Sequence, residues 1–497
     1  MKLRAADLFC GAGGTSAGAR ATGEAEVVFA LNHWDRAIET HSANFPETKH
    51  VNSRLEDTHP GECGKIDLLF ASPECTHHAR ARGGRPTSDQ QRAGAWYVLP
   101  WIEHHRPSWI VIENVSEFKE WGPVGADGRP LASKKGKFFD AWLMAIQAAG
   151  YKLDYQEINA ADMGAATSRN RLFIVARKGN RRPVFPEPTH SKTVGGELPG
   201  FALPKWRASA EVINWQIPCP SIFSRKRALA DQTLNRIEAG LKRFVGPFVA
   251  QWDNHNGGGS YVRSVDGPLA TMVTKANMGV AVPFQVVMRN NMDAANVASP
   301  LNTITAGGGH HGIAVPFLAD VNHNGSDRVY PLNSTLGTTT TKNGRALVFP
   351  FILSTGSGGA PRSVRQPTPT IVTSDGTAIV VPWLLHYYGT NNQSPVTDPL
   401  DTITTKERHG LCAARYTGPR DWPIPSTNAM TTLQATMREL GVCDIGFRML
   451  SNPELALAQG FDKHYIFHGK NHEITRQIGN SVSPPVAEAI TRAILSV

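Results

Sequence analysis

The sequence predicts an α/β fold built around a parallel sheet, and two observations lead to this prediction. Apolar runs such as Ile66-Asp67-Leu68-Leu69-Phe70 and Trp109-Ile110-Val111-Ile112 have the length and composition of short buried strands. Polar or glycine-rich segments follow these runs, as expected where the strands of an open sheet end at a ligand site. The chain, at 497 residues, is too long for one ordinary core, so two or three domains are expected.

Composition and charge indicate a protein of reducing compartments with a polyanionic partner. The six cysteines lie far apart and form no C-x-x-C pair, which argues against a zinc site and against a disulfide framework. A formal charge of +9 and a pI near 9.3 favour a polyanion such as nucleic acid as the partner. The scattered cysteines also lead us to expect no bound metal. No run of about eighteen apolar residues occurs, so we expect a soluble, cytoplasmic protein without membrane contact.

A strand, a glycine turn and a helix are predicted near the amino terminus, from Ala5 to Gly18. Glycines let the backbone approach a ligand closely, and the start of a helix favours polar or anionic groups. A second predicted strand starts at Val27 and ends near His33 and Trp34, where a nucleoside cofactor would place its ribose and adenine. Together the two strands predict a Rossmann-like cofactor pocket.

Two side chains that follow predicted strands are candidates for chemistry. Cys75 lies on the loop after Phe70, where a thiol can act as a nucleophile; the alternative is a small side chain packed in the interior. Glu113 ends the strand that begins at Trp109, and an acid there can protonate or hydrogen-bond a ring nitrogen of a substrate. Its alternative is a helix cap or a surface charge.

A pair of arginines precedes another predicted strand, Leu172 to Ala176. Arg169 and Arg171 alternate along the chain, so both are expected to face one side of the strand. This arrangement suits the binding of an anion or a carbonyl group.

The middle of the chain, from Phe244 to about Leu411, has a repeat of short β-strands and turns. Its marker is a proline followed by an aromatic residue, and the successive prolines are 36, 33, 34 and 32 residues apart. The markers are Pro247-Phe248, Pro283-Phe284, Pro316-Phe317, Pro350-Phe351 and Pro382-Trp383. The polar loops between them either read base edges or belong to a purely structural array. The basic segment before the array, from Pro204 to Arg243, is either a phosphate-contact region or a solvated linker.

These segments, in this order, resemble the C5-cytosine DNA methyltransferases. The resemblance covers roughly residues 3–180 and 446–497. The matching motifs are Asp7-Leu8-Phe9-Cys10-Gly11 to Gly14, Ser72-Pro73-Glu74-Cys75, Glu113-Asn114-Val115, Arg169-x-Arg171, Arg448 to Phe461, and Arg476 to Pro485.

The resemblance implies the architecture and the cofactor. The fold is α/β: a Rossmann-like AdoMet-dependent methyltransferase domain with an inserted β-rich, repeat-containing target-recognition domain. Residues 1–180 would bind AdoMet and carry the catalytic groups, residues 181–445 would recognise the target with repeats at about 244–411, and residues 446–497 would complete the catalytic domain. The residues implied to hold S-adenosyl-L-methionine (AdoMet) are Asp7, Phe9, Gly11, Gly13, Gly14, Thr15, His33, Trp34, Asn480 and Ser481. For the last two, a plain helix cap is the alternative.

The resemblance also implies the reaction, a DNA (cytosine-5-)-methyltransferase activity on double-stranded DNA. Cys75 would add to C6 of a flipped cytosine, Glu113 would hydrogen-bond N3, and Arg171, supported by Arg169, would hydrogen-bond O2, after which C5 takes the methyl group. The family implies a monomer and leaves a cognate restriction endonuclease as a candidate partner. An RNA cytosine-5 methyltransferase and a catalytically inactive DNA-binding homologue are the alternatives.

The sequence departs from the family pattern at several positions. Glu74 replaces the proline before the nucleophile and Thr76 the glutamine after it, while His33 stands where an acid commonly binds ribose. Thr167 replaces a glutamine before the arginine pair. For the acidic group that contacts adenine, Asn52 and Asp57 are both candidates.

Overall fold

The structure is a computed structural model of the chain. It describes residues 2–74, 88–192, 203–244, 393–406, 409–415, 422–440 and 442–497, together with the strands between residues 248 and 386. The predicted nucleophile Cys75 and the polar loops of the repeats lie outside the described residues.

Contacts divide the chain into two compact units. The first consists of Met1–Ile213, Val396–Arg408 and Leu450–Val497, and the second of Asn214–Pro395 and His409–Met449. The short piece Val396–Arg408 thus belongs with the two ends of the chain. The assignment of residues 181–445 to target recognition stays a prediction.

A seven-stranded sheet forms the centre of the first unit. Its strands are β1 (Leu3–Leu8), β2 (Ala25–Asn32), β3 (Lys49–Asn52), β4 (Leu68–Ala71), β5 (Trp109–Asn114), β6 (Tyr151–Asn159) and β7 (Asn170–Lys178). Their order is β3-β2-β1-β4-β5-β7-β6. In this order, the neighbouring strands among β3, β2, β1, β4 and β5 pair in parallel. β7 pairs antiparallel with β5 and with β6. The predicted α/β class is therefore confirmed.

The first unit also contains α-helices. They are α1 (Gly14–Ala21), α2 (Asp35–Asn44), α3 (Leu99–His105) and α4 (Lys137–Ala148), and, from the carboxyl end of the chain, α7 (Asn452–Gln459), α8 (Asn471–Asn480) and α9 (Pro484–Leu495). In the described part of the chain, no helix is long and apolar enough to span a lipid bilayer.

Side chains on both faces of the sheet are buried, because successive residues of a strand point to opposite faces. In β4, Leu69 and Ala71 belong to a core that includes Trp101, whereas Leu68 and Phe70 pack in a second core with residues of α9. Burial on both sides explains why the strands read as continuous apolar runs.

Where the structure describes it, the second unit contains antiparallel strands and two helices. The helices are α5 (Asp231–Phe244) and α6 (Asn428–Glu439). The strands are β8 (Phe248–Trp252), β9 (Ser260–Ser264), β10 (Met278–Ala281), β11 (Phe284–Val287), β12 (Ala295–Asn296), β13 (His311–Ala314), β14 (Leu318–Asp320), β15 (Arg328–Tyr330), β16 (Phe351–Ser354), β17 (Arg362–Ser363), β18 (Thr377–His386), β19 (Gln393–Pro395), β20 (His409–Arg415) and β21 (Asp444–Met449). The strands from β8 to β17 span two to five residues each, which agrees with the predicted short β-strands, whereas β18 spans ten residues. Trp383 of β18 and Leu433 of α6 are fully buried in the core of this unit.

A substitution in the last helix, α9, tests how much the carboxyl end of the chain stabilises the first unit. Ile490 of α9 is fully buried in the second core, so Ile490→Ala should lower the free energy of unfolding by about 2–5 kcal/mol. Chemical denaturation measures this change. Met144→Ala, which truncates a side chain that is 64% exposed on α4, is the control and should change the stability by less than about 0.5 kcal/mol. Equal effects of the two substitutions would contradict the packing of α9.

Candidate active site

Predicted site residues collect at the carboxyl edge of the sheet, where the strand order changes direction. β1 pairs with β2 on one side and with β4 on the other, so the segments that follow β1 and β4 start side by side. The backbone N–H of Ser72 donates to the carbonyl of Leu8 at 3.1 Å and joins the two strand ends. Ligands of open α/β sheets bind at such a switch point.

The chain makes a tight turn between β1 and α1. The backbone φ angle is positive at Phe9 (59°), Gly11 (52°) and Gly13 (86°). Phe9 has a side chain that disfavours this conformation, and such backbone strain concentrates at functional sites. A Cβ atom on Gly11 would have the Phe9 carbonyl, at 3.9 Å, as its nearest neighbour. The backbone at Gly11 is therefore open to a ligand.

The carboxyl-terminal part of the chain packs directly on this turn. A Cβ atom on Gly14 would lie 2.0 Å from the carbonyl oxygen of Val482 and 2.3 Å from Oγ of Ser481, and one on Gly13 would lie 2.6 Å from the hydroxyl of Tyr465. That hydroxyl donates a hydrogen bond to the carbonyl of Ala12. Only glycine fits at these two positions. The sequence contains no motif that would have indicated Tyr465.

Asn480 and Ser481 lie where α8 ends. Asn480 is the exposed last residue of the helix, and the N–H of Ser481 donates to the carbonyl of Ile478 at 3.2 Å. Ser481 thus caps the helix and also contacts the glycine turn. A role for both residues at AdoMet stays a prediction.

Asp7 is fully buried at the end of β1. Its Oδ2 accepts a hydrogen bond from Oγ of Ser16 at 2.7 Å, whereas Oδ1 has no hydrogen-bond partner in the described part of the chain. Burial raises the pKa of Asp7 to about 7, and the hydrogen bond from Ser16 opposes this increase. A buried, half-satisfied carboxyl group beneath a glycine turn is suited to respond to a cation bound there.

His33 and Trp34 follow β2 at the same edge of the sheet. Nε2 of His33 lies 3.6 Å from Oε1 of Glu74, and both side chains are exposed. The guanidinium group of Arg476 stacks over the Trp34 ring, and its Cζ lies 4.6 Å from the ring centre. Thr15, in the first turn of α1, lines a small cavity together with Glu113. The end of β2 therefore lies beside the start of the segment that leads to Cys75.

The base of the Cys75 loop is fixed by Asn114, although Cys75 itself lies outside the described residues. The fully buried Asn114 amide donates to the carbonyl of Pro73 at 3.1 Å and accepts from the N–H of Val115 at 2.9 Å. The sequence showed Asn114 as part of a motif, but this contact depends on the pairing of β4 with β5.

The buried Glu113 forms an ion pair with the partly buried Arg171. Nε of Arg171 lies 3.3 Å from Oε1 of Glu113, with side-chain exposures of 16% and 10%. Burial raises the pKa of Glu113, while the charges of Arg171 and Arg169 act in the opposite direction. The carboxyl group is therefore placed to hold or donate a proton next to a fixed positive charge.

Arg169 points into the protein interior. Its Nη1 donates to the carbonyl of Ile403 and to that of Gly479, both at 2.9 Å. The side chain therefore links the segment before β7 to Val396–Arg408 and to the end of α8. No sequence pattern indicated these contacts, and a role for Arg169 at the substrate stays a prediction.

Within the described residues, no three His, Cys, Asp or Glu side chains are grouped as metal ligands. The polar groups at this edge of the sheet are instead the carboxyl groups of Asp7 and Glu113, the guanidinium of Arg171 and the open backbone of the turn. This set of groups can bind a polar organic cofactor and a base.

Comparison with known proteins finds several that are similar to this chain. The mouse (Mus musculus) protein DNA (cytosine-5)-methyltransferase 1 is 26% identical over 207 residues, which are 38% of this chain and 12% of that protein. Type II methyltransferase M.XorII of Xanthomonas oryzae pv. oryzae is 29% identical over 207 residues, 39% of this chain and 46% of the relative. The chain thus spans less than half of the length of these two curated relatives. The solved structure of the Entamoeba histolytica methyltransferase EhMeth has a TM-score of 0.46 at 12% identity, covering 100% of this chain and 98% of that one.

The family described as C-5 cytosine-specific DNA methylase matches residues 3–195 and 363–496. These residues are well over half of the chain and include the glycine turn, Glu113 and both arginines. The protein therefore belongs to the C-5 cytosine-specific DNA methylase family.

Proposed function

We propose that the protein is an AdoMet-dependent DNA (cytosine-5-)-methyltransferase that acts on double-stranded DNA. The observation that carries the proposal is the ion pair of Glu113 and Arg171 beside the base of the Cys75 loop. A protonated carboxyl group and a guanidinium at one place can polarise N3 and O2 of a cytosine ring. The names of the relatives support cytosine-5 methylation of DNA, and the type II names favour a restriction-modification setting with a cognate endonuclease.

The glycine turn fits AdoMet on three structural observations. The backbone is open at Gly11, the turn is closed from behind by Val482, and the buried Asp7 has an unpartnered oxygen among the described residues. AdoMet, when bound, would supply an electrophilic methyl group. The residues of the turn would position it, while Trp34 offers an aromatic face for the adenine ring.

The protein groups would perform the remaining chemistry on cytosine. C5 of cytosine is a poor nucleophile, and addition of the Cys75 thiolate to C6 raises its electron density. Glu113 donates a hydrogen bond to N3, and Arg171 stabilises the negative charge that develops at O2. After methyl transfer, C5 loses its proton to a base and the bond between Cys75 and C6 breaks, which restores the aromatic ring.

This chemistry requires the cytosine to leave the duplex. C6 is inaccessible in stacked DNA, and flipping the nucleotide costs a few kcal/mol, which contacts in the pocket offset. The hydrogen bonds of Asn114 and Ser72 fix the start of the loop that carries Cys75. The flipped base would lie between that loop and Glu113.

The proposed reaction is tested by nucleoside mass analysis of mixed-sequence duplex DNA after incubation with the protein and AdoMet. We expect 5-methylcytosine. Cys75→Ser should lower its formation by about three orders of magnitude or more, because the hydroxyl is a much weaker nucleophile than the thiolate. Cys219→Ser, the same change in a cysteine of the second unit, is the control and should retain activity. Methylation by the Cys75 variant at the rate of the wild type would contradict the covalent mechanism, and product found only in RNA would favour the RNA alternative.

The role of Glu113 predicts a specific pH dependence. Because burial raises its pKa, the protonated form persists to higher pH than in an exposed glutamate, and the single-turnover rate should fall as pH rises through that pKa. Glu113→Gln should lower the rate by about a hundredfold or more and flatten this fall. Glu120→Gln, which removes the carboxylate that pairs with Lys135 at 2.8 Å, should leave the profile unchanged. An unaltered pH profile in Glu113→Gln would show that Glu113 does not supply the proton.

Substitutions of the two arginines should affect different properties of the protein. Arg171→Gln should reduce the rate of methylation, and its cost in melting temperature should be small because Glu113, whose pKa burial raises, can stay protonated without the guanidinium. Arg169→Gln removes a guanidinium that is hydrogen-bonded to two carbonyl groups in the interior, and should lower the free energy of unfolding by about 1–3 kcal/mol. Thermal melting and single-turnover rates of both variants test this assignment. A stable Arg169 variant without activity would instead place Arg169 at the substrate.

A further inference from the structure

Four polar side chains form one hydrogen-bonded line from the glycine turn towards the surface. Oγ of Ser16 lies 2.7 Å from Oδ2 of Asp7 and 3.0 Å from Nε2 of His41. Nδ1 of His41 lies 2.8 Å from Nε2 of His50 on β3. Asp7, Ser16 and His41 are fully buried, and His50 is half-buried. The line therefore joins an interior carboxyl group to a histidine that water can reach.

This line lies directly beneath the proposed cofactor turn. A Cβ atom on Gly13 would be 3.0 Å from Cδ2 of His41, so the imidazole ring contacts the turn itself. Ser16 is in the first turn of α1, two residues after Gly14. Ser16 and His41 therefore lie against the backbone that would hold AdoMet.

The atoms in the line permit two arrangements of protons. In the first, Asp7 is ionised and accepts from the Ser16 hydroxyl, Ser16 accepts from Nε2–H of His41, and Nδ1 of His41 accepts from His50. In the second, a protonated Asp7 donates to Ser16, Ser16 donates to Nε2 of His41, and Nδ1–H of His41 donates to His50. Passing from the second to the first moves one proton along each of the three hydrogen bonds. The net result is that Asp7 loses a proton and His50 gains one.

Among the groups of the line and those that face it, Asp7 is the one whose pKa lies near neutral pH, at about 7. Burial lowers the pKa of His41 to about 3, with His50 and Arg20 adding to the effect, so His41 stays neutral and changes only its tautomer. Burial also lowers the pKa of His50, which Glu47 opposes. Cys10 and Tyr465 face Asp7, and burial raises the pKa of both, so they stay neutral.

We propose that Ser16, His41 and His50 are positioning residues that control the protonation of Asp7, and that AdoMet binding sends the Asp7 proton along this line to His50. The second part rests on the proposed function. AdoMet carries positive charges on its sulfonium and ammonium groups, and such charges stabilise an ionised Asp7 whose Oδ1 has no partner in the described structure. The proton then leaves His50 for water.

The proposal predicts how the binding of AdoMet depends on pH. Asp7 is protonated below about pH 7, so binding there must release a proton and becomes weaker by up to about tenfold for each pH unit below that value. Above this pH Asp7 is already ionised, and binding should depend little on pH.

The line itself is tested without any ligand, by ¹⁵N NMR of the histidine side chains. As pH rises from 6 to 8, we expect the proton of His41 to move from Nδ1 to Nε2. This change should be absent in Asp7→Asn and in Ser16→Ala, which interrupt the line at two different positions. Asp67→Asn, which changes a carboxylate that accepts from the backbone N–H of Arg4, is the matched control and should retain the change. A single tautomer throughout in the wild type, or an unaltered change in the folded Asp7 or Ser16 variant, would overturn the proposal.

The coupling to the cofactor is tested by titration calorimetry with AdoMet in buffers of different ionisation enthalpy. We expect release of close to one proton at pH 6, almost none at pH 8, and almost none at either pH in Asp7→Asn. Binding without proton release at pH 6 would overturn the coupling. Absence of AdoMet binding at both pH values would instead contradict the proposed function, whereas the NMR result on the line would stand independently.

Discussion

The close contact between Gly14 and the Val482 carbonyl is the constraint on which the first unit depends. With only 2.0 Å between that oxygen and the position of a Cβ atom, the start of α1 and the segment between α8 and α9 form one packed surface. This contact joins residues that are almost the whole chain apart. It keeps the glycine turn closed from behind, so that the open backbone at Gly11 remains the side available to a ligand.

The electrostatics of the site follow from burial of charge at the edge of the sheet. Glu113 is kept out of water in a position where Arg171 partly compensates its desolvation, and the two effects act on its pKa in opposite directions. An isolated buried carboxylate would be costly, and a fully compensated one would be a poor proton donor. The observed balance suits a group that hydrogen-bonds a ring nitrogen and then returns to its starting state.

Asp7 shows the same balance at the other side of the site, with hydroxyl and imidazole groups instead of a guanidinium. The Ser16 hydroxyl can donate to Asp7 or accept from it, and neutral His41, which is hydrogen-bonded to Ser16, can change its tautomer to match either direction. An arginine would hold the carboxylate ionised. The two carboxyl groups thus differ in their partners: Glu113 faces the fixed positive charge of Arg171, whereas Asp7 is hydrogen-bonded to the neutral Ser16.

The sequence by itself determined the parallel α/β sheet, because strands buried on both faces must be continuously apolar. It also located the glycine turn, Glu113 and the arginine pair, because glycines and charged residues stand where the predicted strands begin or end. Only the tertiary structure decided the inward direction of Arg169, the hydrogen bond of Asn114 to the Cys75 loop, and the contact of Tyr465 with the turn. It also placed Val396–Arg408 with the chain ends. Such contacts join residues far apart in the chain, and a local sequence pattern does not indicate which distant carbonyl group a side chain will contact.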